Sequence, residues 1–325
     1  MASNHLNFYC WMNNNFWRKL NKPFVASAPM AEITDVTFRQ MLVKYGKPDV
    51  IYAEFVSADG LNSEGREALI GRLKFEENEH PIVAQFFGAN PDNMRECAKL
   101  AVELGFDGVE INMGCPDRAV IKQGAGSALI KNPALARELI KAAKEGAAGK
   151  IPVSVKTRIG YATNEIETWI PEILAEKPDA LLIHGRTRKQ AFAGSADWET
   201  IAEVAKLAKK AGVIVIGNGD IKNKNEAIEK ANKYGVDGVM IGRAFFGNPW
   251  LCGEKDINDV TIKEKLAALI EHLNLCMEYD PARKFHDLKK HIAMYVRGFD
   301  GAKELRIKLM GVGSVEEIEK IIDKE

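Results

Sequence analysis

The stretch Gly108-Val109-Glu110-Ile111-Asn112-Met113-Gly114-Cys115-Pro116 decides the fold. Apolar and polar side chains alternate from Gly108 to Asn112, the period of a β-strand. Pro116 has no N–H to give a ladder, so the strand stops there. A thiol, Cys115, is left at the strand's end, and the glycine-rich Gly124-Ala125-Gly126-Ser127 follows.

The same kind of run recurs along the chain. Phe24–Ala28, Val50–Phe55, Ile82–Phe87, Gly108–Asn112, Pro152–Thr157, Ala180–His184, Val213–Gly217 and Gly238–Ile241 make eight. The gaps carry helical patterns, as in Asp92–Leu104, Pro133–Glu145, Trp198–Ala211 and Lys224–Tyr234. Strand alternating with helix predicts parallel βα units, and eight of them match a (β/α)8 TIM barrel, an α/β fold. The competing doubly wound sheet usually has a Gly-x-Gly-x-x-Gly turn after its first strand. Here that strand ends in Ala28-Pro29-Met30-Ala31. The expected organisation is an N-terminal extension over 1–22, a barrel over 23–252 and an all-helical domain over 253–325.

Composition sets outer bounds. A chain of 325 residues can bury a large core without staples. Its 45 basic and 45 acidic residues balance, so any nucleic-acid footprint must be local. The five cysteines, at 10, 97, 115, 252 and 276, include no Cys-x-x-Cys pair, which argues against disulfide and zinc frameworks; no metal is expected. No apolar run is long enough to span a membrane, and the aromatic-rich first 22 residues lack a signal-peptide pattern. A reduced cytoplasmic enzyme fits, and nothing calls for more than a monomer.

The C-terminal residues form four expected helices, Ile262–Met277, Lys284–Arg297, Ala302–Met310 and Ser314–Asp323. Ser314 followed by Glu317 reads as a capping box. Between 283 and 308 the chain is basic: Arg283, Lys284, Lys289, Lys290, Arg297, Lys303, Arg306 and Lys308, against Asp287, Asp300 and Glu304. A solvated helix face is the commoner outcome for such a run. A surface for phosphate backbone is the alternative.

Barrel interiors are normally filled by branched apolar side chains. These strands instead carry Tyr52 and Glu54, Gln85, Glu110 and Asn112, then Ser154, Lys156 and Arg158, then His184 with Arg186. Buried polar groups need partners or a ligand, and the C-terminal strand ends are the usual catalytic face. An internal network, such as Glu54 or Glu110 with Lys156, is the plain alternative. Strands seven and eight run into Gly217-Asn218-Gly219-Asp220 and Gly242-Arg243, the usual phosphate loops of such barrels. Lys156 could form a Schiff base or stabilise an anionic reduced flavin. With Gln85 and His184 near a ring edge and Ala28-Pro29-Met30 as an apolar ledge, the set describes a flavin mononucleotide (FMN) pocket.

Those residues also carry a resemblance. Ala28-Pro29-Met30-Ala31 with Thr34-Asp35, Gln85-Phe86-Phe87-Gly88, Asn112-Met113-Gly114-Cys115-Pro116 and Val155-Lys156-Thr157-Arg158-Ile159-Gly160 occur in order. His184-Gly185-Arg186-Thr187-Arg188-Lys189-Gln190, Ala196-Asp197-Trp198, Asn218-Gly219-Asp220 and Gly242-Arg243-Ala244 follow. From about residue 22 onward the chain resembles the flavin-dependent tRNA-dihydrouridine synthases. The resemblance implies FMN contacts from Pro29, Met30, Ala31, Gln85, Lys156 and His184, and phosphate contacts from Asn218, Gly219, Asp220, Gly242 and Arg243. It implies Cys115 as catalytic acid and C-terminal helices that grip tRNA. The chain departs from the family at Asp117-Arg118-Ala119, where a lysine is common; Arg118 or Lys122 can supply that charge.

The implied reaction reduces the 5,6 double bond of uracil in tRNA, with NADPH or NADH as electron donor. Cys115 would protonate C5, which requires a site that does not favour thiolate. Asn112, Arg158 and Arg186 are the candidates for holding the flipped base and its backbone. Two other readings share the barrel: a reductase of a small pyrimidine or enone, similar to dihydroorotate dehydrogenases, and a non-catalytic tRNA-binding protein.

Overall fold

Strand formation follows the alternation closely. The computed structural model describes residues 15–323. Its strands are β1 (Phe24–Ser27), β2 (Ile51–Ser57), β3 (Ile82–Phe87), β4 (Gly108–Met113), β5 (Val153–Arg158), β6 (Ala180–His184), β7 (Ile214–Asn218) and β8 (Gly238–Ile241). All neighbours pair in parallel, in the order β1-β8-β7-β6-β5-β4-β3-β2. An Ala26–Val50 bridge joins the two ends, with Ser27 N donating to Val50 O at 3.0 Å, so the sheet closes into a barrel. Helices intervene, among them Pro91–Leu104, Pro133–Ala147, Trp198–Lys210 and Lys224–Tyr234.

Local chemistry sets the helix ends. Asn90 and Asn132 cap helices whose first residue is proline, and Asp197 and Asn223 cap the next two. Each such cap stabilises by about 1 kcal/mol. Gly105 and Gly235 end their helices in the left-handed region that glycine tolerates.

One device at the bottom of the barrel repeats with every second strand. Asp49, Asp107, Asp179 and Asp237 stand just before β2, β4, β6 and β8. Each carboxylate accepts the backbone N–H at or next to the start of the preceding strand: Val25 at 2.7 Å, Ile82 at 2.7 Å, Val153 at 2.8 Å and Val215 at 2.8 Å. The floor is closed by Trp17, fully buried against Phe24, Ala180 and Ile214 at strand starts. Asn15 ties this segment to Asp179 at 2.7 Å. Asn15 and Trp17, placed from sequence in an extension, are therefore buried with the barrel, while Arg18 is exposed; residues 1–14 lie outside the described part.

The described residues divide into two compact units, 15–36 with 48–242 and 37–47 with 243–323. From sequence the line was drawn after Cys252; the units part at Gly242. The second unit holds helices Val36–Gly46 (from Thr37 on), Ile262–Tyr279, Phe285–Tyr295, Ala302–Met310 and Val315–Ile322. Its full capping box is Thr261 with Glu264. At Ser314 only half of the expected box forms: Ser314 Oγ accepts Glu317 N, while the Glu317 carboxylate takes Gly313 N at 2.8 Å.

Candidate active site

Cys115 is held by backbone on both sides. Asn112 Oδ1 accepts the N–H groups of Gly114 at 3.1 Å and Cys115 at 2.9 Å, which turns the chain out of β4. Asp117 then caps helix Arg118–Lys122 through Ala119 N and Val120 N. From the other side Ser127 N donates to Cys115 O at 3.1 Å. Gly126 sits so close that a Cβ there would lie 2.9 Å from that oxygen. Burial pushes the Cys115 thiol above its ordinary value; the Asp117 N–H, Arg158 and Lys156 offset this only in part. At neutral pH the group is a thiol, able to give a proton.

Below it lies a polar network. Glu110, fully buried, accepts Tyr52 Oη–H at 2.9 Å, Ser154 Oγ–H at 3.3 Å and Gln85 Nε2–H. Gln85 Oε1 accepts Asn112 Nδ2–H at 2.9 Å. A continuous chain thus runs from Glu110 through Gln85 and Asn112 to the Cys115 turn. Lys156 donates to Asn218 Oδ1 at 3.3 Å, and Asn218 Nδ2 donates to Met240 O at 2.8 Å. Burial raises Glu110 and lowers Lys156, and the charge of each draws the other back toward its ionised form.

The ends of β6 to β8 are shaped by glycine. Gly219 has φ 135°, and a Cβ there would meet Ala196 Cβ at 2.5 Å and His184 Cδ2 at 3.1 Å. A Cβ on Gly242 would lie 3.5 Å from Ala28 Cβ and 3.8 Å from Met30 Sδ, so the β8 end faces the Ala28-Pro29-Met30 ledge. Asp220, at φ 54°, accepts Arg186 Nη2–H at 2.6 Å and Ala196 N–H at 2.8 Å. Arg186 also donates to Ala193 O and Gly194 O. Arg158 donates to Gly114 O at 2.7 Å, Thr187 O at 3.3 Å and Ala191 O at 3.4 Å. Both arginines fasten the loop after β6.

Gln85, Asn112, Lys156 and Asn218 are therefore gathered at the C-terminal end of the strands, with His184 beside Gly219. Arg243 opens a short turn, Arg243–Phe245, in the second unit. Glu54 lies at an irregularity of β2. The β2–β3 register shifts between Tyr52 and Phe55, a bulge that breaks the two-residue repeat. Glu54 accepts Glu32 N–H and lies 3.7 Å from Arg72. Lys131 Nζ lies 3.8 Å from the centre of the Tyr161 ring and Arg188 5.2 Å from it, a cluster made by loops that are distant in sequence.

The sequence model of the dihydrouridine synthase (Dus) family matches residues 26–324. The chain is similar to a probable tRNA-dihydrouridine synthase 2 of Bacillus subtilis (strain 168), 42% identical over 318 residues, covering 96% of this chain and 97% of that one. It is similar to a probable tRNA-dihydrouridine synthase of Staphylococcus aureus (strain Mu50), 40% identical over 319 residues and 96% of each chain. Among solved structures, histamine dehydrogenase from Rhizobium sp. 4-9 aligns with a TM-score of 0.53 at 11% identity, over 77% of this chain and 48% of that one. That last likeness shows a shared barrel fold.

Proposed function

The chain belongs to the dihydrouridine synthase family, and from that premise we propose that it reduces the C5–C6 double bond of uridines in tRNA, with Cys115 giving the proton to C5. The observation that carries this reading is a half-buried thiol at the barrel mouth, its turn fixed by Asn112 and Gly126, where burial favours the acid form.

The rim fits FMN. Gly219 and Gly242 leave backbone open where side chains would intrude, and Ala28-Pro29-Met30 offers a low apolar ledge. In this reading Pro29, Met30 and Ala31 support the ring. Gln85, Lys156 and His184 serve its polar edge, and Asn218, Gly219, Asp220 and Gly242 line the phosphate loops. When bound, the flavin supplies a two-electron reductant, itself recharged by NADPH or NADH. Lys156 offers a cation beside it, held by Asn218 and drawn toward its charged form by Glu110.

Cys115 holds the proton for C5. Asn112, Arg158 and Arg186, expected to touch the substrate, spend their observed hydrogen bonds on the Cys115 turn and the loop after β6. In this reading those bonds hold the three side chains in place to bind the flipped base and its backbone. The base reaches the thiol by leaving its stack. We place the protein in the cytoplasm with its tRNA, as a monomer; among the described residues no helix is long and apolar enough to cross a membrane.

Cys115→Ala tests the assignment. NADPH oxidation by the flavin should persist, while dihydrouridine formation in tRNA falls by about 10²–10⁴-fold. Dihydrouridine formation near the wild-type rate would remove Cys115 from the reaction.

A further inference from the structure

The second unit holds a group of side chains for which the proposed reaction has no use. His272 and Cys276 lie four residues apart on helix Ile262–Tyr279 and so share a face. His291 comes from helix Phe285–Tyr295. All three are fully buried. One ligand atom from each lies within 4.8 Å of the other two. The two imidazole centroids are 4.2 Å apart. Thr37 Oγ1 stands beside two of them, 3.1 Å from Cys276 Sγ and 3.5 Å from His272 Nε2. Tyr295 Oη is 3.4 Å from His272 Nδ1.

We propose that His272, Cys276 and His291 bind a zinc ion that fastens the helices of this unit. Two imidazole nitrogens and one thiolate are a donor set that zinc prefers. Zinc–nitrogen and zinc–sulfur bonds of about 2.0–2.3 Å put tetrahedral ligand atoms about 3.5 Å apart. Closing the present cluster to that size takes side-chain movements on the order of 1 Å. Cys276 gives up its thiol proton to solvent as the Zn–S bond forms, so one proton leaves for each zinc bound. With the Tyr295 hydroxyl at Nδ1, His272 presents Nε2 toward the side where Thr37 and Cys276 lie. The hydroxyl is the outer-shell partner that orients a ligating imidazole.

The consequence is structural. Thr37 is 235 residues from His272 in sequence, and the cluster ties its segment to the helices carrying the ligands. This site is independent of Cys115 and the flavin, so its failure and theirs are separable.

The test uses the full-length protein as purified. Elemental analysis should find about one zinc per chain. Chelation should remove it and lower Tm. Cobalt(II) added to the chelated protein should give tetrahedral d–d bands in the red, clear of flavin absorption. Cys276→Ser and His291→Ala should each weaken zinc binding by on the order of 100-fold or more, since even outer-shell changes reach that size. Wild-type protein that carries no stoichiometric metal and gives no cobalt bands overturns the proposal, whatever the variants do. Full zinc retention in both folded variants overturns it equally.

Discussion

At the scale of single residues, the decisive fact is that Cys115 is buried enough to stay a thiol. Burial holds its folded value above the ordinary one, so the acid form is present at neutral pH and is lost only as pH rises through that raised value. Single-turnover reduction of tRNA by the pre-reduced enzyme should therefore stay level through neutral pH and decline only in the alkaline range. A decline centred near pH 7 would contradict a thiol acid. Beneath Cys115, Tyr52 gives Glu110 one of its three hydrogen bonds. Tyr52→Phe keeps the ring and strands one carboxylate lone pair in the core. Urea denaturation should show a loss of about 1–3 kcal/mol. The polar character of both residues was legible from their place on strands. Their pairing was not, because alternation assigns a face and says nothing of which neighbour is met.

Among the elements, the barrel was readable because each strand carries its own period and each helix its own cap. The aspartates at the even strands show how that local reading becomes closure. Each occupies the residue or two before a strand and accepts an N–H from the strand alongside. Their energetic weight depends on burial. Asp179 is 3% exposed and also accepts Asn15 Nδ2–H, whereas Asp49 is exposed and water can replace it. Asp179→Ala should cost about 1–3 kcal/mol and Asp49→Ala well under 1, compared by the shift in urea midpoint. Equal losses would mean that the carboxylates act through something other than satisfying buried N–H groups. The bulge in β2 is the element that sequence concealed. It inserts a residue without altering the apolar pattern, and Glu54 beside it accepts Glu32 N–H.

For the whole molecule, the question is how charge meets tRNA. Part of the basic run from 283 to 308 also serves the fold. Lys289 donates to Met310 O, Arg297 to Phe246 O and Arg306 to Val296 O. Burial also lowers Arg297. Lys284 and Lys303 are exposed. Replacing either by Ala should reduce the slope of log Kobs against log salt for tRNA by about 1, with no change in Tm. Arg306→Ala should lower Tm as well. An unchanged slope in both lysine variants would move the tRNA footprint elsewhere.

The eight strands, their capped helices, the thiol at a strand end and the glycine loops are all legible in the chain, because each is written in residues near one another. Which buried groups meet depends on how the elements pack. Tyr52 reaches Glu110 across 58 residues, and Thr37 reaches His272 and Cys276 across more than 200. The absence of Cys-x-x-Cys pairs argued against zinc, yet His272, Cys276 and His291 come together through the packing of two helices. Trp17, outside the expected barrel, closes its floor for the same reason. Strand register and helix packing bring distant groups into contact, and burial then sets their protonation.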